Sequence, residues 1–283
     1  MTKLKLIECP RDAMQGLYDF IPTEIKVDYI NGLLDCGFDT IDFGSFVSPK
    51  AIPQMKDTAS VLENLNDSAS KLLAIVANER GANDACEFNR IDYLGYPFSV
   101  SEQFQLRNTN STIDQSFARV EKIKEIADRH NKEVVLYLSM GFGNPYEEEW
   151  HPDIVAGWAE KLRTKLDIRI QALSDTIGCA TSEMVTNLFS TLISSLPKVE
   201  FGAHLHTVPE NAQQLVAAAY SGGCRRYDGA IKGFGGCPMA KDDLTGNMPT
   251  EKMIDWFMEN KIDTGIDVNS FNESVSKALS VFP

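Results

Sequence analysis

KEVVLYLSMGFGNPYEEEWHPDIVAGWAEKLRTKLDIRIQALSD, residues 132–175, holds two short apolar runs separated by one amphipathic stretch. KEVVLYLSM (132–140) carries VVLYL with no polar alternation, the mark of a strand covered on both faces, and DIRIQALSD (167–175) repeats the β-rich composition. The stretch between them, opening on Pro152, reads as a helix over 152–166. A strand, a helix and a second buried strand make a crossover unit with parallel strands.

The same unit recurs in both directions. Upstream, LKLIEC (4–9) leads into a helix with Ile25, Tyr29, Ile30 and Leu33 at helical spacing, bounded by Pro22-Thr23 and Gly37. FDTIDFG (38–44) precedes a helix over 52–65, KLLAIVA (71–77) one over 81–88, and RIDYLGY (90–96) a longer one over 112–131 with Ser111 or Thr112 as N-cap. Downstream come a helix over 181–195, VEFGAHLH (199–206), a helix over 209–221, RRYDGAI (225–231) and a helix over 250–260. Regular alternation with no linker or repeat predicts an α/β protein, a (β/α)8 TIM barrel forming one domain over residues 1–283. The competing doubly wound sheet would bind nucleotides through G-x-G-x-x-G after its first strand. CPRDAMQG stands there instead, and neither GFGNPY (141–146) nor GFGGCP (233–238) completes the pattern.

Composition narrows the function. Forty acidic residues against 27 basic ones give a net charge of −13, which opposes nucleic acid and anionic membrane surfaces as partners. No apolar run nears the ~18 residues of a membrane span, and MTKLKLIECPRD has no secretory core. Six scattered cysteines without CxxC pairs read as reduced thiols, so a cytoplasmic enzyme with a small-molecule substrate is expected.

A barrel carries its site at the C-terminal strand ends, and unusual polar residues gather there. Arg11 and Asp12 follow strand one, Asp42 ends strand two, Asp175 ends strand six, His204 and His206 end strand seven, and Cys237 and Asn247 follow strand eight. Two of the chain's four histidines share the face of one strand in His204-Leu205-His206. H-x-H alone fits core imidazoles as well as ligands. With Asp12 and Asn247 it makes a mixed nitrogen and oxygen set suited to Mg²⁺ or Mn²⁺, with Zn²⁺ or Co²⁺ as further options. Arg11 is either a surface ion pair or a stabiliser of a developing enolate. Asp175 is a catalytic carboxylate or a helix N-cap. Asp42 either serves the site or hydrogen-bonds the barrel rim. Cys237, in the small-residue segment GFGGCPMA, is an inert thiol or a proton donor on a closing loop. Gln15 and Ser45, polar residues of the same rim, are the candidate substrate contacts.

Taken in order, ECPRDAMQG, GSFVSPKAIPQM, LSDTIG, AHLH, GFGGCPMA and LTGN resemble the 3-hydroxy-3-methylglutaryl-CoA lyase family of the DRE-TIM metallolyase superfamily, over about residues 6–260. The resemblance implies a divalent-metal-dependent barrel that performs a retro-Claisen cleavage to acetyl-CoA and acetoacetate. It implies Asp12, His204, His206 and Asn247 as metal ligands, Arg11 as the enolate stabiliser, Cys237 in proton transfer and Asp175 as a second carboxylate, with His204 or Asp175 as the base. An acyl-CoA substrate is then expected, and barrels of this type often form homodimers.

The chain departs from that pattern. The lyases usually carry Glu at Asp42 and Asp-Thr at Thr207-Val208, and strand five ends in SMGFGNP rather than a cysteine-flanked turn. The GLYDF segment lacks the Asn-Glu-Lys-like run found near the CoA side. These departures keep two further readings open: an aldolase releasing pyruvate from 4-hydroxy-2-oxo acids, and a metal-binding barrel without catalysis.

Overall fold

The computed structural model describes residues 3–236 and 245–282. Eight parallel strands close into a barrel in chain order: β1 (Lys5–Glu8), β2 (Thr40–Ser45), β3 (Lys71–Ile75), β4 (Ile91–Ser99), β5 (Glu133–Ser139), β6 (Ile170–Asp175), β7 (Glu200–Leu205) and β8 (Arg226–Gly229). β8 pairs back onto β1 from Lys5↔Arg226 to Glu8↔Gly229, so no strand edge is left open. Helices between the strands cover the outside, as the apolar runs require.

Alternation along each strand builds two cores. Leu72 and Ala74 of β3 join the shell between barrel and helices, while Leu73 and Ile75 face the lumen. The lumen is itself divided. Strands β3 to β6 line it with Leu73, Ile75, Tyr93, Val135, Tyr137, Ile170 and Ala172. The opposite sector, from β7, β8, β1 and β2, carries the buried Arg226 together with His204, Asp228, Asp42 and the adjoining Arg11 and Asp12. Hydrogen bonds and ion pairs join His204 to Asp228 and Asp12, and Arg11 to Asp12 and Asp42.

The eight strands lie where the sequence places them, and so do most helices. Thr112 is the N-cap of α6 (Ile113–Arg129), in a reciprocal capping box with Gln115. The helix expected over 52–65 is instead a 3-10 turn (Pro53–Met55) followed by α3 (Thr58–Glu63). Thr58 packs so closely on β2 that a Cβ at Gly44 would come within 2.5 Å of its Cγ2. Three helices go unread in the sequence: α1 (Pro10–Gln15), α5 (Glu102–Thr109) and α11 (Val268–Val281). The last closes the barrel's outer layer against α2 (Thr23–Leu34), with Phe282 edge-on to Tyr29 and Phe271 edge-on to Phe38.

Glu8, at the end of β1, is fully buried and accepts from the backbone N–H of Ile231 at 2.8 Å and the Thr250 hydroxyl at 2.6 Å. It thereby ties β1 to the turn after β8 and to the first residue of α10 (Thr250–Glu259).

Candidate active site

The site is built from chain that leaves the strands at their C-terminal ends. β1 runs through Cys9 into α1, whose first residue is Pro10. The helical offset puts Gln15 four residues from Arg11 and three from Asp12, so one amide serves both. Gln15 Nε2 donates to Asp12 Oδ1 at 2.6 Å, and its Oε1 accepts from Arg11 Nη1 at 3.0 Å. Arg11 Nη1 also meets Asp12 Oδ1 at 3.3 Å. From β2, the fully buried Asp42 receives Arg11 Nε at 3.2 Å on both oxygens, and Nη2 on Oδ2. Arg11 is thus gripped by Asp42 beneath and by Asp12 and Gln15 beside the cavity.

β7 delivers both imidazoles. His204 Nδ1 lies 3.1 Å from Asp228 Oδ2 of β8, and its Nε2 lies 3.6 Å from Asp12 Oδ2. Just beyond the strand, the backbone of His206 pairs with Asn247, and Thr207 N donates to Gly246 O at 3.0 Å, which brings Asn247 beside the histidines. Asn247 Nδ2 donates to Phe234 O at 2.8 Å, turning its amide oxygen the other way. Gly235 makes this approach workable. It has φ +90°, and a Cβ there would stand 2.7 Å from Asp12 O and 2.8 Å from Asn247 Nδ2.

Burial is the strongest influence on the titrating groups. Desolvation first, then the neighbouring His204, pulls His206 down to about 4, so its imidazole is neutral and has a lone pair to offer. Desolvation also disfavours charge on His204, but Asp228 and Asp12 outweigh it and raise the group. Asp12 is held below the usual carboxylate range: burial opposes this, and Arg11 and the two imidazoles overcome it. Burial pushes Asp42 up to about 6 against the pull of Arg11.

These residues can hold a cation. Asp12, His204 and His206 each offer one ligand atom, all within 4.8 Å of one another. His206 Nδ1 is buried with no hydrogen-bond partner, the kind of orphaned polar atom that a ligand satisfies. Two nitrogens and hard oxygens suit a divalent ion of the Mg²⁺ or Mn²⁺ type.

Arg11, Asp12, Gln15, His204 and His206 line one face of a cavity of about 150 Å³. Facing them are the apolar side chains of Val47, Ile52, Ile75, Pro97 and Phe104. Two expected residues, Asp175 and Ser45, turn their polar atoms elsewhere. The oxygens of Asp175 accept from the backbone N–H groups of Cys179 at 3.0 Å and Ala180 at 2.8 Å, so this carboxylate braces the loop after β6 and is not in the cavity wall. It is not a helix N-cap either, because Thr181 caps α8 (Ser182–Ser195). Ser45 is buried, and its hydroxyl accepts from Val47 N at 3.2 Å; it braces the turn and does not face the cavity. Cys237 lies outside the described residues. Asp228 was not singled out from sequence; a lone Asp in RRYDGAI carries no motif, and only the β7–β8 pairing brings it to His204. Thr207, where the lyases usually carry Asp, turns its hydroxyl to Val208 O at 3.1 Å.

Comparison with known proteins agrees with this geometry. The chain matches the HMGL-like family over residues 4–277. It is 30% identical over 281 residues, 99% of this chain and 93% of the relative, to a 3-hydroxy-3-isohexenylglutaryl-CoA/hydroxy-methylglutaryl-CoA lyase of Pseudomonas aeruginosa. It is 31% identical to the cytoplasmic 3-hydroxy-3-methylglutaryl-CoA lyase of Danio rerio, covering 98% of this chain and 83% of the other. Among solved structures, an HMG-CoA lyase of Acinetobacter baumannii in complex with coenzyme A and 3-methylmalate superposes with TM-score 0.91 at 32% identity, over 99% of this chain and 93% of that one. The resemblance carried by the six motifs is borne out, and the chain belongs to the HMGL-like family.

Proposed function

We propose that this chain, a carbon–carbon lyase of the HMGL-like family, cleaves 3-hydroxy-3-methylglutaryl-CoA or a close 3-hydroxyacyl-CoA into acetyl-CoA and a 3-oxo acid, acetoacetate in the first case. The observation that carries this reading is the convergence of Arg11, Asp12, His204 and His206 on one cavity with an apolar opposite wall.

Asp12, His204, His206 and Asn247 would hold a divalent cation, Mg²⁺ or Mn²⁺, whose chemistry there is to acidify the hydroxyl of the bound substrate. The bond broken joins the hydroxyl-bearing carbon to the carbon next to the thioester. As the acidified hydroxyl passes its proton to solvent at the cavity mouth and becomes the ketone, the electron pair of that bond passes to the thioester as an enolate. Arg11 is placed to hold the developing charge, its guanidinium kept in position by Asp42. Protonation of the enolate carbon completes acetyl-CoA, and Cys237 is the proposed donor. Gln15 holds Arg11 and Asp12 at the cavity edge. The apolar wall suits the substituent at the hydroxyl-bearing carbon. Lys50, exposed in the segment between the lining residues Val47 and Ile52, is the cation proposed to meet CoA phosphates.

The five described cysteines are unpaired and, among the described residues, no helix is long and apolar enough to cross a membrane. We assign the protein to the cytoplasm on the thiols. The test is a coupled assay with Mg²⁺ or Mn²⁺ on 3-hydroxy-3-methylglutaryl-CoA beside a panel of 4-hydroxy-2-oxo acids. Acetoacetate release supports the lyase; pyruvate release from the panel, or no turnover of either, overturns it.

A further inference from the structure

We propose that Asp228 is a positioning residue that fixes the tautomer of His204, so that Nδ1 carries the proton and the bare Nε2 faces the cation site. This deepens the metal reading of Asp12, His204 and His206 and rests on it.

The argument begins with a choice the imidazole cannot settle alone. A neutral histidine carries its proton on either ring nitrogen, and only the other nitrogen can bind a cation. Asp228 Oδ2 lies 3.1 Å from His204 Nδ1, while Nε2 is turned to Asp12 at 3.6 Å. An ionised carboxylate only accepts, so the proton of a neutral His204 sits on Nδ1 and the lone pair on Nε2. Without that acceptor, a share of the molecules would aim an N–H at the cation and repel it.

The surroundings make the contact selective. Asp228 is 3% exposed, so water does not compete for it. Arg226, two residues earlier on the same face of β8, is a buried cation whose charge Asp228 balances. Cys9 lies within the same cluster as His204 and Asp228. Burial keeps its thiol protonated, so it supplies no rival anion to the ring. His206 differs: its Nδ1 has no partner, so the two histidines of one H-x-H pair are held in different ways. A carboxylate behind a ligand histidine also raises its basicity, and losing such a partner typically costs about 10- to 100-fold in metal affinity.

Two measurements on the full-length protein test this. In ¹⁵N-histidine NMR of the metal-free wild type, recorded at a pH high enough that the raised His204 ring is neutral, His204 should show the Nδ1–H form, and Asp228→Ala should mix the two tautomers. Mn²⁺ binding, followed by loss of the free-ion EPR signal, should weaken about 10- to 100-fold in Asp228→Ala. Asp228→Asn, nearly the same shape and able to accept through its amide oxygen, should recover part of that loss. A wild-type His204 protonated on Nε2, or variants that bind Mn²⁺ as the wild type does, overturns the proposal. Should Asp228→Ala fail to fold, the wild-type spectrum and Asp228→Asn still decide. A wild type that takes up no Mn²⁺ sinks the cation reading itself, a result separable from the tautomer, which is read without metal.

Discussion

Arg11 and Asp42, 31 residues apart, lock edge to edge: Nε of the guanidinium stands 3.2 Å from both carboxylate oxygens, and Nη2 bonds the same group. Only Nη1 is left to meet Asp12 and Gln15 at the cavity. A lysine cannot reproduce this two-sided grip, because its charge is a single point on a flexible stem. Arg11→Lys should therefore lower kcat about 10²- to 10³-fold, with a smaller change in KM, since charge is stabilised mainly in the transition state. Steady-state kinetics check this; a kcat close to the wild-type value would defeat it.

His206 is neutral near pH 7 and buried, with an unpartnered nitrogen. Replacing it by Ala removes one of three convergent donors. His206→Ala should lose activation by Mg²⁺ or Mn²⁺, and its metal content after dialysis should fall well below the wild type. Unchanged content would remove this histidine from the proposed site.

Gly235 is where the chain after β8 grazes Asp12 and Asn247. Any side chain there must bear a φ of +90° and displace atoms 2.7 to 2.8 Å away. Gly235→Ala should cost about 1–3 kcal/mol of backbone strain, with weaker metal binding as Asn247 is pushed aside. Thermal melts and metal titration of the same variant would expose the mistake if both stayed at wild-type values.

The net charge of −13 opposes a phosphate-bearing substrate overall, so such a substrate needs a local cation. Lys50 is exposed in the segment between Val47 and Ile52, both of which line the cavity. Lys50→Glu should raise KM for an acyl-CoA about 2- to 5-fold, the scale of one solvent-exposed charge contact, while kcat holds. The effect should shrink in added salt. Equal KM values at low salt would take Lys50 out of CoA binding.

Glu8 lends the fold a pH dependence remote from catalysis. Burial raises its carboxyl from the ordinary 4.5 to about 8, with Glu251 adding to the rise and the bonds from Thr250 and Ile231 opposing it. The native state then holds this proton more tightly than the unfolded chain does. The group's contribution to stability is whole below about 4.5 and is lost as pH climbs towards about 8. Melting temperature should fall across that window, and Glu8→Gln, which has no proton to lose, should flatten the fall. A variant whose pH profile parallels the wild type would show that the burden lies on other groups.

The barrel was legible because parallel strands buried on both faces leave runs such as LLAIVA and VVLYL that no solvent-facing strand would carry. The unread helices lack that contrast. α5, EQFQLRNT, buries only Phe104 and Gln105, and the inner positions of α11 include Ser274 and Ala278 beside Phe271 and Val281. α1 is six residues long, less than two turns, too short for periodicity to register. Arg11, Asp12, His204, His206 and Asn247 could be gathered from the rule that barrel strands present their C-terminal ends. That rule locates a residue and not the direction it faces. Asp175 and Ser45 were assigned by position, and the structure turns their polar atoms into local backbone bonds. Asp228 escaped for the converse reason: its importance lies in a contact with a residue 24 positions away.

The split lumen has a consequence for how such an enzyme can change. The charged side chains come from β7, β8, β1 and β2, and the greasy lining from β3 to β6. Substitutions on the second arc can reshape what the cavity admits while the bond-breaking groups stay in register. Novelty in substrate and conservatism in chemistry are thereby written on separate stretches of the chain. A directed-evolution library confined to β3–β6 and their following loops should yield altered acyl preference far more often than dead enzyme, and one confined to the other arc should do the reverse.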